Sequence, residues 1–203
     1  MFPFCSVSPA SVVFPMPSSA TGRVIVISGP SGAGKTTLLH ELMTRCDRLV
    51  PSVSATTRPP RRGEVDGRDY HFISRDDFER RRQRGDFLEY AEVFGGGDWY
   101  GTLESEVAPR LAVGKWVVLE IDVEGTRSIL RQYPDAVTIF VRPDSLEELE
   151  RRLRSRATET EQATQRRLEV ARRELAQADI YRYQVTNQTV DQAVDEILSI
   201  LKQ

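Results

Sequence analysis

The segment Gly29-Pro30-Ser31-Gly32-Ala33-Gly34-Lys35-Thr36 fits G-x-x-x-x-G-K-[ST] at every defined position. Glycines at these places let successive backbone N–H groups converge on a phosphate, and the following helix N-terminus adds partial positive charge. Lys35 is then set to reach the β- and γ-phosphates of a nucleoside triphosphate, and the Thr36 hydroxyl to ligand Mg²⁺. Thr37, next in the chain, is a further candidate on the nucleotide side. A glycine turn that merely precedes a helix is the plain alternative. The full pattern between an apolar strand and a helix argues against it. The chain is expected to bind ATP with Mg²⁺.

A second group of candidates ends another apolar run, Leu119-Glu120-Ile121-Asp122. Beside a phosphate loop, an acid after such a strand commonly holds or orients Mg²⁺. The alternative for Asp122 is a cap on the helix that begins near Glu124. A third group is basic. Arg152 and Arg156 are four apart and share one helix face, and Arg167 lies on the next helix. Such arginines suit the spreading charge of a transferring phosphoryl group. With Glu147, Glu148 and Glu150 nearby, surface salt bridges are their alternative use. Only three of the 28 basic residues are lysines, Lys35, Lys115 and Lys202.

The elements that must position these groups follow from hydrophobic pattern. Val24 to Ile27 is β-branched throughout and reads as a buried strand. Lys35 to Cys46 reads as a helix with Leu38, Leu39, Leu42 and Met43 at helical spacing. Trp116 to Ile121 and Ala136 to Val141 are further buried strands, and Tyr183 to Thr186 is a short candidate. Ser145 with Glu148 forms a capping box for a helix running to about Arg156. Thr189 with Gln192 starts a last helix whose Val190, Val194, Ile197, Leu198 and Leu201 make one apolar face. Strands alternating with helices predict an α/β fold: a parallel sheet with helices on both faces. Two stretches break the rhythm. Residues 51–108 hold short strand candidates, Tyr70 to Ile73 and Phe87 to Val93, and are expected to form an inserted β-rich lobe. Residues 145–180 are expected to form an arginine-dense helical flap.

Composition narrows the classes. A net charge of −2 argues against a protein that holds nucleic acid by bulk positive field. No apolar run approaches the length of a membrane span. Two cysteines, Cys5 and Cys46, and two histidines, His40 and His71, are scattered and do not make a zinc pattern. A cytoplasmic, soluble domain is expected for residues 22–203. Residues 1–21, with four prolines and five serines, are expected to be a disordered tail. Met16 is a candidate start within it.

Past the first helix the chain reads Ser52-Val53-Ser54-Ala55-Thr56-Thr57-Arg58-Pro59-Pro60-Arg61-Arg62-Gly63-Glu64. Then follow Gly67-Arg68-Asp69-Tyr70, Phe87-Leu88-Glu89 and Trp99-Tyr100-Gly101-Thr102. In these motifs and their order the chain resembles the guanylate kinase family over nearly all of its length from Gly22. The resemblance implies a P-loop nucleoside monophosphate kinase fold, the reaction ATP + GMP → ADP + GDP, and a place in purine nucleotide metabolism. It also implies roles for particular residues. Arg58, Arg61, Tyr70 and Tyr100 match the positions that bind the GMP phosphate. Glu89 matches the position that reads guanine, with Ser54 and Thr102 bonding the base and Glu120 and Asp122 the acidic pair near it. Arg152, Arg156 and Arg167 match arginines of a lid over residues 145–180, and residues 51–108 match the GMP-binding lobe.

The chemistry of those residues is consistent with such roles. Two arginines stiffened by Pro59 and Pro60, with two phenol donors, make a phosphate grip. Guanine presents two adjacent donors, N1–H and the N2 amine, and one carboxylate accepts from both. Adenine offers an acceptor at N1 and leaves the same carboxylate unpaired. The attacking oxygen belongs to GMP and is already ionised, so no catalytic histidine is needed, and His40 and His71 are expected to be structural or surface residues. Two features depart from the family pattern: the longer segment Gly95-Gly96-Gly97-Asp98-Trp99, and Asn187, which matches a position near the adenine of ATP, followed by Gln188 where Asn-Asp is common. Two other readings predict different residues. A kinase-like binding module without catalysis usually has a degraded phosphate loop. A kinase for another phosphorylated small molecule would alter Glu89 or the arginine pair. None of these is altered here.

Overall fold

The computed structural model describes residues 21–92, 97–155 and 161–203. Residues 1–20 of the expected tail, part of the 95–99 segment and Arg156 lie outside the described residues. Along the chain run β1 (Arg23–Ser28), α1 (Lys35–Arg45), β2 (Leu49–Pro51), β3 (Ala55–Thr56) and β4 (His71–Phe72). Next come α2 (Arg75–Arg84), β5 (Phe87–Glu92), β6 (Trp99–Leu103), α3 (Glu104–Ala112), β7 (Trp116–Glu120) and α4 (Val123–Gln132). The last third holds β8 (Val137–Pro143), α5 (Leu146–Ser155), α6 (Glu161–Leu175), β9 (Tyr183–Asn187) and α7 (Val190–Leu201).

Five strands form an all-parallel sheet in the order β2-β7-β1-β8-β9. The central strand explains its own sequence. Ile25 and Ile27 face α1 and α7, while Val24 and Val26 pack with Val107 of α3 and Ile129 of α4 on the other face. Both faces are buried, so the strand reads as a continuous apolar run instead of alternating. Tyr183 to Thr186 does form a strand, extended by Asn187, at the sheet edge beside β8. The helix caps follow the sequence: the Ser145 hydroxyl accepts from the Glu148 amide at 3.1 Å, and Thr189 caps α7.

A second, four-stranded sheet has the order β4-β3-β6-β5 and is built from residues 55–103. It carries α2, whose single buried residue, Phe78, stacks on Phe87 at 4.5 Å. Helices α2 and α3 stand where the sequence suggested only β structure and polar loop. In the second half, α5 and α6 pair through Leu149, Leu153, Leu168 and Ala171. Among the described residues, no helix is long and apolar enough to cross a membrane.

Parallel strands deliver their carboxyl ends to one edge of a sheet, and ligands of open α/β folds bind there. Here β1 leads into the glycine loop, β7 ends at Glu120, and β9 ends at Asn187. The edge of the first sheet and the second sheet together frame the site.

Candidate active site

The glycine loop has the backbone its sequence demands. Gly29, Gly32 and Gly34 take positive φ values of 143°, 92° and 89°. At Gly29 the constraint is doubled, because a Cβ there would lie 2.2 Å from the Val141 carbonyl oxygen. Gly29→Ala is therefore expected to force β1 and β8 apart at the loop and cost several kcal/mol, on the order of the larger single-site losses. A thermal melt unchanged from that of the parent would contradict this packing. Lys35 folds back over the loop, its Nζ donating to the Gly29 carbonyl at 2.7 Å and to the Pro30 carbonyl at 3.3 Å. Glu120 Oε1 lies 3.8 Å from the same ammonium. Thr36 and Thr37 are exposed in the first turn of α1.

The second half of the chain packs on this loop. Arg167 of α6 donates to Ser31 Oγ at 2.6 Å. Arg152 of α5 pairs with Glu148 at 2.7 Å and lies beside Gly34. The two uses weighed for Arg152 are thus both present: a helical salt bridge and a guanidinium at the phosphate loop. Asn187 is buried and donates its amide to the Ala33 carbonyl at 2.8 Å. That bond braces the loop backbone. Asp122 caps α4, its Oδ1 accepting the Gly125 amide at 2.8 Å. The cap expected as the alternative for Asp122 is thus present.

Just past β3 of the second sheet, Arg58 is only 8% exposed despite its charge. It donates through Nε to the Tyr100 hydroxyl at 3.1 Å and makes two bonds to Glu64 at 2.8 and 2.9 Å. Its guanidinium sits 5.3 Å from the Tyr70 ring centre, and the Tyr70 and Tyr100 rings meet edge-on at 5.8 Å. Burial raises the Tyr70 phenol above its ordinary range, and the charges of Tyr100 and Glu120 act in the same direction. Two residues of the motif do backbone work. Thr56 Oγ1 accepts the Arg58 amide at 3.2 Å and Thr57 Oγ1 accepts the Trp99 amide at 2.9 Å. Arg61 is exposed, and Ser54, half-buried, accepts the His71 amide on its carbonyl at 2.9 Å.

Glu89 is 8% exposed, and its Oε1 accepts from Thr102 Oγ1 at 2.6 Å. A register irregularity falls between Phe87 and Glu89, where the adjacent Leu88 and Glu89 are both buried. Gly125 in the first turn of α4 leaves room for the other oxygen; a Cβ there would lie 3.0 Å from Glu89 Oε2. Burial is the main cause that pushes this carboxyl up to about 7, with Asp122 adding to it and Thr102 opposing. A second carboxyl, Glu174 of α6, is pushed up to about 7 by burial, with Lys35 lowering and Asp122 raising it. Sequence reasoning missed Glu174, because a glutamate on a charged helix carries no signal of its own. His71 is structural, its Nε2 lying 3.0 Å from Glu106 Oε1, and His40 is exposed on α1.

A glycine loop on a parallel sheet, with arginines of the following helices beside it, is the phosphate-binding framework of a P-loop kinase. The guanylate kinase family model matches residues 21–203. The chain is 54% identical to the guanylate kinase of Rhodopirellula baltica over 182 residues, covering 89% of this chain and 87% of the relative. It is 50% identical to that of Rubrobacter xylanophilus over 181 residues, covering 89% and 94%. The crystal structure of guanylate kinase from Anaplasma phagocytophilum superposes with a TM-score of 0.74 at 32% identity, covering 90% of this chain and 86% of that one. The chain belongs to the guanylate kinase family, and its reaction is the ATP-dependent phosphorylation of GMP to GDP.

Proposed function

We propose that GMP lies between the second sheet and the glycine loop, its guanine on Glu89 and its phosphate on the Arg58–Tyr70–Tyr100 cluster. The buried, hydrogen-bonded Glu89 carries this reading, because a carboxyl in that setting needs the two donors that guanine brings. Thr102 already donates to Oε1, which fixes the rotamer and leaves the carboxylate edge for the base. The Tyr100 hydroxyl accepts from Arg58, so its own proton is left to donate to a phosphate oxygen. Arg61 supplies a solvent-facing guanidinium from the adjoining turn. Residues 51–108 act as the acceptor lobe and 145–180 as the lid.

The donor side is the glycine loop. Its amides and Lys35 take the phosphates of ATP, the ammonium exchanging the Gly29 and Pro30 carbonyls for phosphate oxygens. Arg152 and Arg167, already at Gly34 and Ser31, spread positive charge over the transferring group. Arg156 is proposed to join them. An oxygen of the GMP phosphate forms the new bond to the γ-phosphorus while the bond to the β–γ bridging oxygen breaks, and ADP leaves with that electron pair. No proton moves in this step.

Among the described residues no three acidic, histidine or cysteine groups converge as a metal cage. The exposed Thr36 hydroxyl together with nucleotide oxygens and water is a donor set that suits Mg²⁺, which seldom uses all-protein cages. Bound there, Mg²⁺ supplies charge neutralisation on the β- and γ-phosphates. The setting proposed is the cytoplasm, in purine nucleotide metabolism and GMP recycling, without a nucleic-acid partner.

The raised Glu89 carboxyl gives a pH test. A protonated acid accepts from one donor where the carboxylate accepts from two, so kcat/KM for GMP at saturating ATP is expected to fall as pH drops through about 7. The GMP phosphate itself gains a proton near pH ~6. The Glu89→Gln variant should therefore retain only the lower limb. Identical profiles in the two proteins would remove Glu89 from guanine binding.

A further inference from the structure

Glu64 closes the arginine motif, and nothing in the phosphate-binding role of its neighbours requires a carboxylate there. Its contacts are specific. Oε1 accepts from Arg58 NH2 at 2.9 Å, and Oε2 accepts from Arg58 NH1 at 2.8 Å and from the Arg61 backbone amide at 2.6 Å. One carboxylate thus ties the side chain of the first arginine to the backbone of the second. Proline at positions 59 and 60 limits how the intervening turn can relax.

The donor count on Arg58 is the sharper observation. A guanidinium has five N–H groups. Nε–H goes to Tyr100, both protons of NH1 go to the Pro59 carbonyl and Glu64, and one proton of NH2 goes to Glu64. A single N–H of NH2 is left for an incoming phosphate. The guanidinium is buried and stands over the Tyr70 and Phe72 rings at 5.3 and 5.6 Å, which restrain its direction. Bidentate Arg–carboxylate pairs of this kind fix direction as well as charge.

We propose that Glu64 is a positioning residue of the acceptor-phosphate site. It clasps Arg58 and the Arg61 turn in one bidentate pair, so that the remaining Arg58 N–H, the Tyr100 hydroxyl and the Arg61 guanidinium address one phosphate. This rests on the placement of the GMP phosphate at Arg58 and Arg61 given above. The hydrogen bonds from Arg58 and Arg61 hold the Glu64 carboxyl down at about 2, and Glu64 raises Arg58, so the clasp is ionised throughout the working pH range.

The test is Glu64→Gln, which keeps the shape but offers one acceptor oxygen and turns an amide NH₂ toward an arginine donor. Calorimetric binding of GMP and of guanosine is compared in the variant and the parent, with kinetics beside it. GMP affinity is expected to fall about 10- to 100-fold, the size of losing one charged hydrogen-bond pair, with guanosine affinity unchanged. KM for GMP should rise by the same factor while kcat and KM for ATP stay within about threefold of the parent. Equal losses for GMP and guanosine would mean that Glu64 only holds the lobe together, and would overturn the proposal. Unchanged or tighter GMP binding would overturn it too, since Glu64 would then be idle or a competitor for Arg58. Glu64→Asp keeps the charge with a shorter reach, and should show a smaller loss confined to GMP. Because each comparison is a ratio to the parent protein, a parent that binds no GMP would sink the site reading itself, a separate result.

Discussion

Lys35→Ala is expected to lower turnover of ATP and GMP by about 10²- to 10³-fold or more, the size of losing one preorganised charge from a transition state. The reason lies in how the ammonium is held. It rests on two carbonyls of its own loop, at 2.7 and 3.3 Å, with Glu120 at 3.8 Å. These partners are close enough to keep it over the loop and are polar enough to be exchanged for phosphate oxygens. The side chain takes no part in the buried apolar clusters, so the variant should fold, with a melting temperature near that of the parent. Steady-state assay with circular dichroism checks both halves. Normal turnover in a folded Lys35→Ala protein would end the argument from the glycine loop.

The second large effect is on selectivity. Glu89→Gln should reduce the preference for GMP over AMP by as much as ~10⁴-fold, because an amide oxygen cannot accept from two donors while its own NH₂ faces the base. The geometry makes the effect specific. Glu89 is buried, Thr102 holds one oxygen at 2.6 Å, and Gly125 leaves the other only the space it needs. Glutamine removes a carboxyl that burial pushes up to about 7, so the free variant should be no less stable than the parent above that pH. The sign follows from linkage. A raised carboxyl favours the folded state at low pH, and that advantage is lost as pH rises from the unfolded value toward 7. The ratio of kcat/KM values for GMP and AMP is the readout, and an unchanged ratio would discredit the assigned role.

What the sequence made legible was what leaves a periodic or fixed-spacing trace. The buried strands β1, β7 and β8 show as apolar runs because both sheet faces are covered. The caps of α5 and α7 show as serine or threonine three residues before a polar partner. Helix α2 left no trace, since Phe78 is its one buried residue and a single apolar position has no period. Strand β3 is two residues long and is held by partners far along the chain, so local pattern cannot reveal it.

The site divides in the same way. The glycine loop and the arginine motif are contiguous, so their chemistry could be read in order. The clasp of Glu64 on Arg58, the bracing of Ala33 by Asn187 and the burial that raises the Glu174 carboxyl depend on where side chains turn after folding. Asp122 shows the limit most clearly. Its sequence position suits an Mg²⁺-orienting acid or a helix cap, and the Gly125 amide bond at 2.8 Å that makes it a cap appears only in the folded chain.

The most direct test of the account is coupled detection of ADP release from ATP and Mg²⁺ with GMP, AMP, UMP, CMP or no acceptor. The account predicts rapid release with GMP alone. Release on every acceptor, or on none while ATP still binds, would contradict it and leave the glycine loop as a nucleotide-binding device without this chemistry.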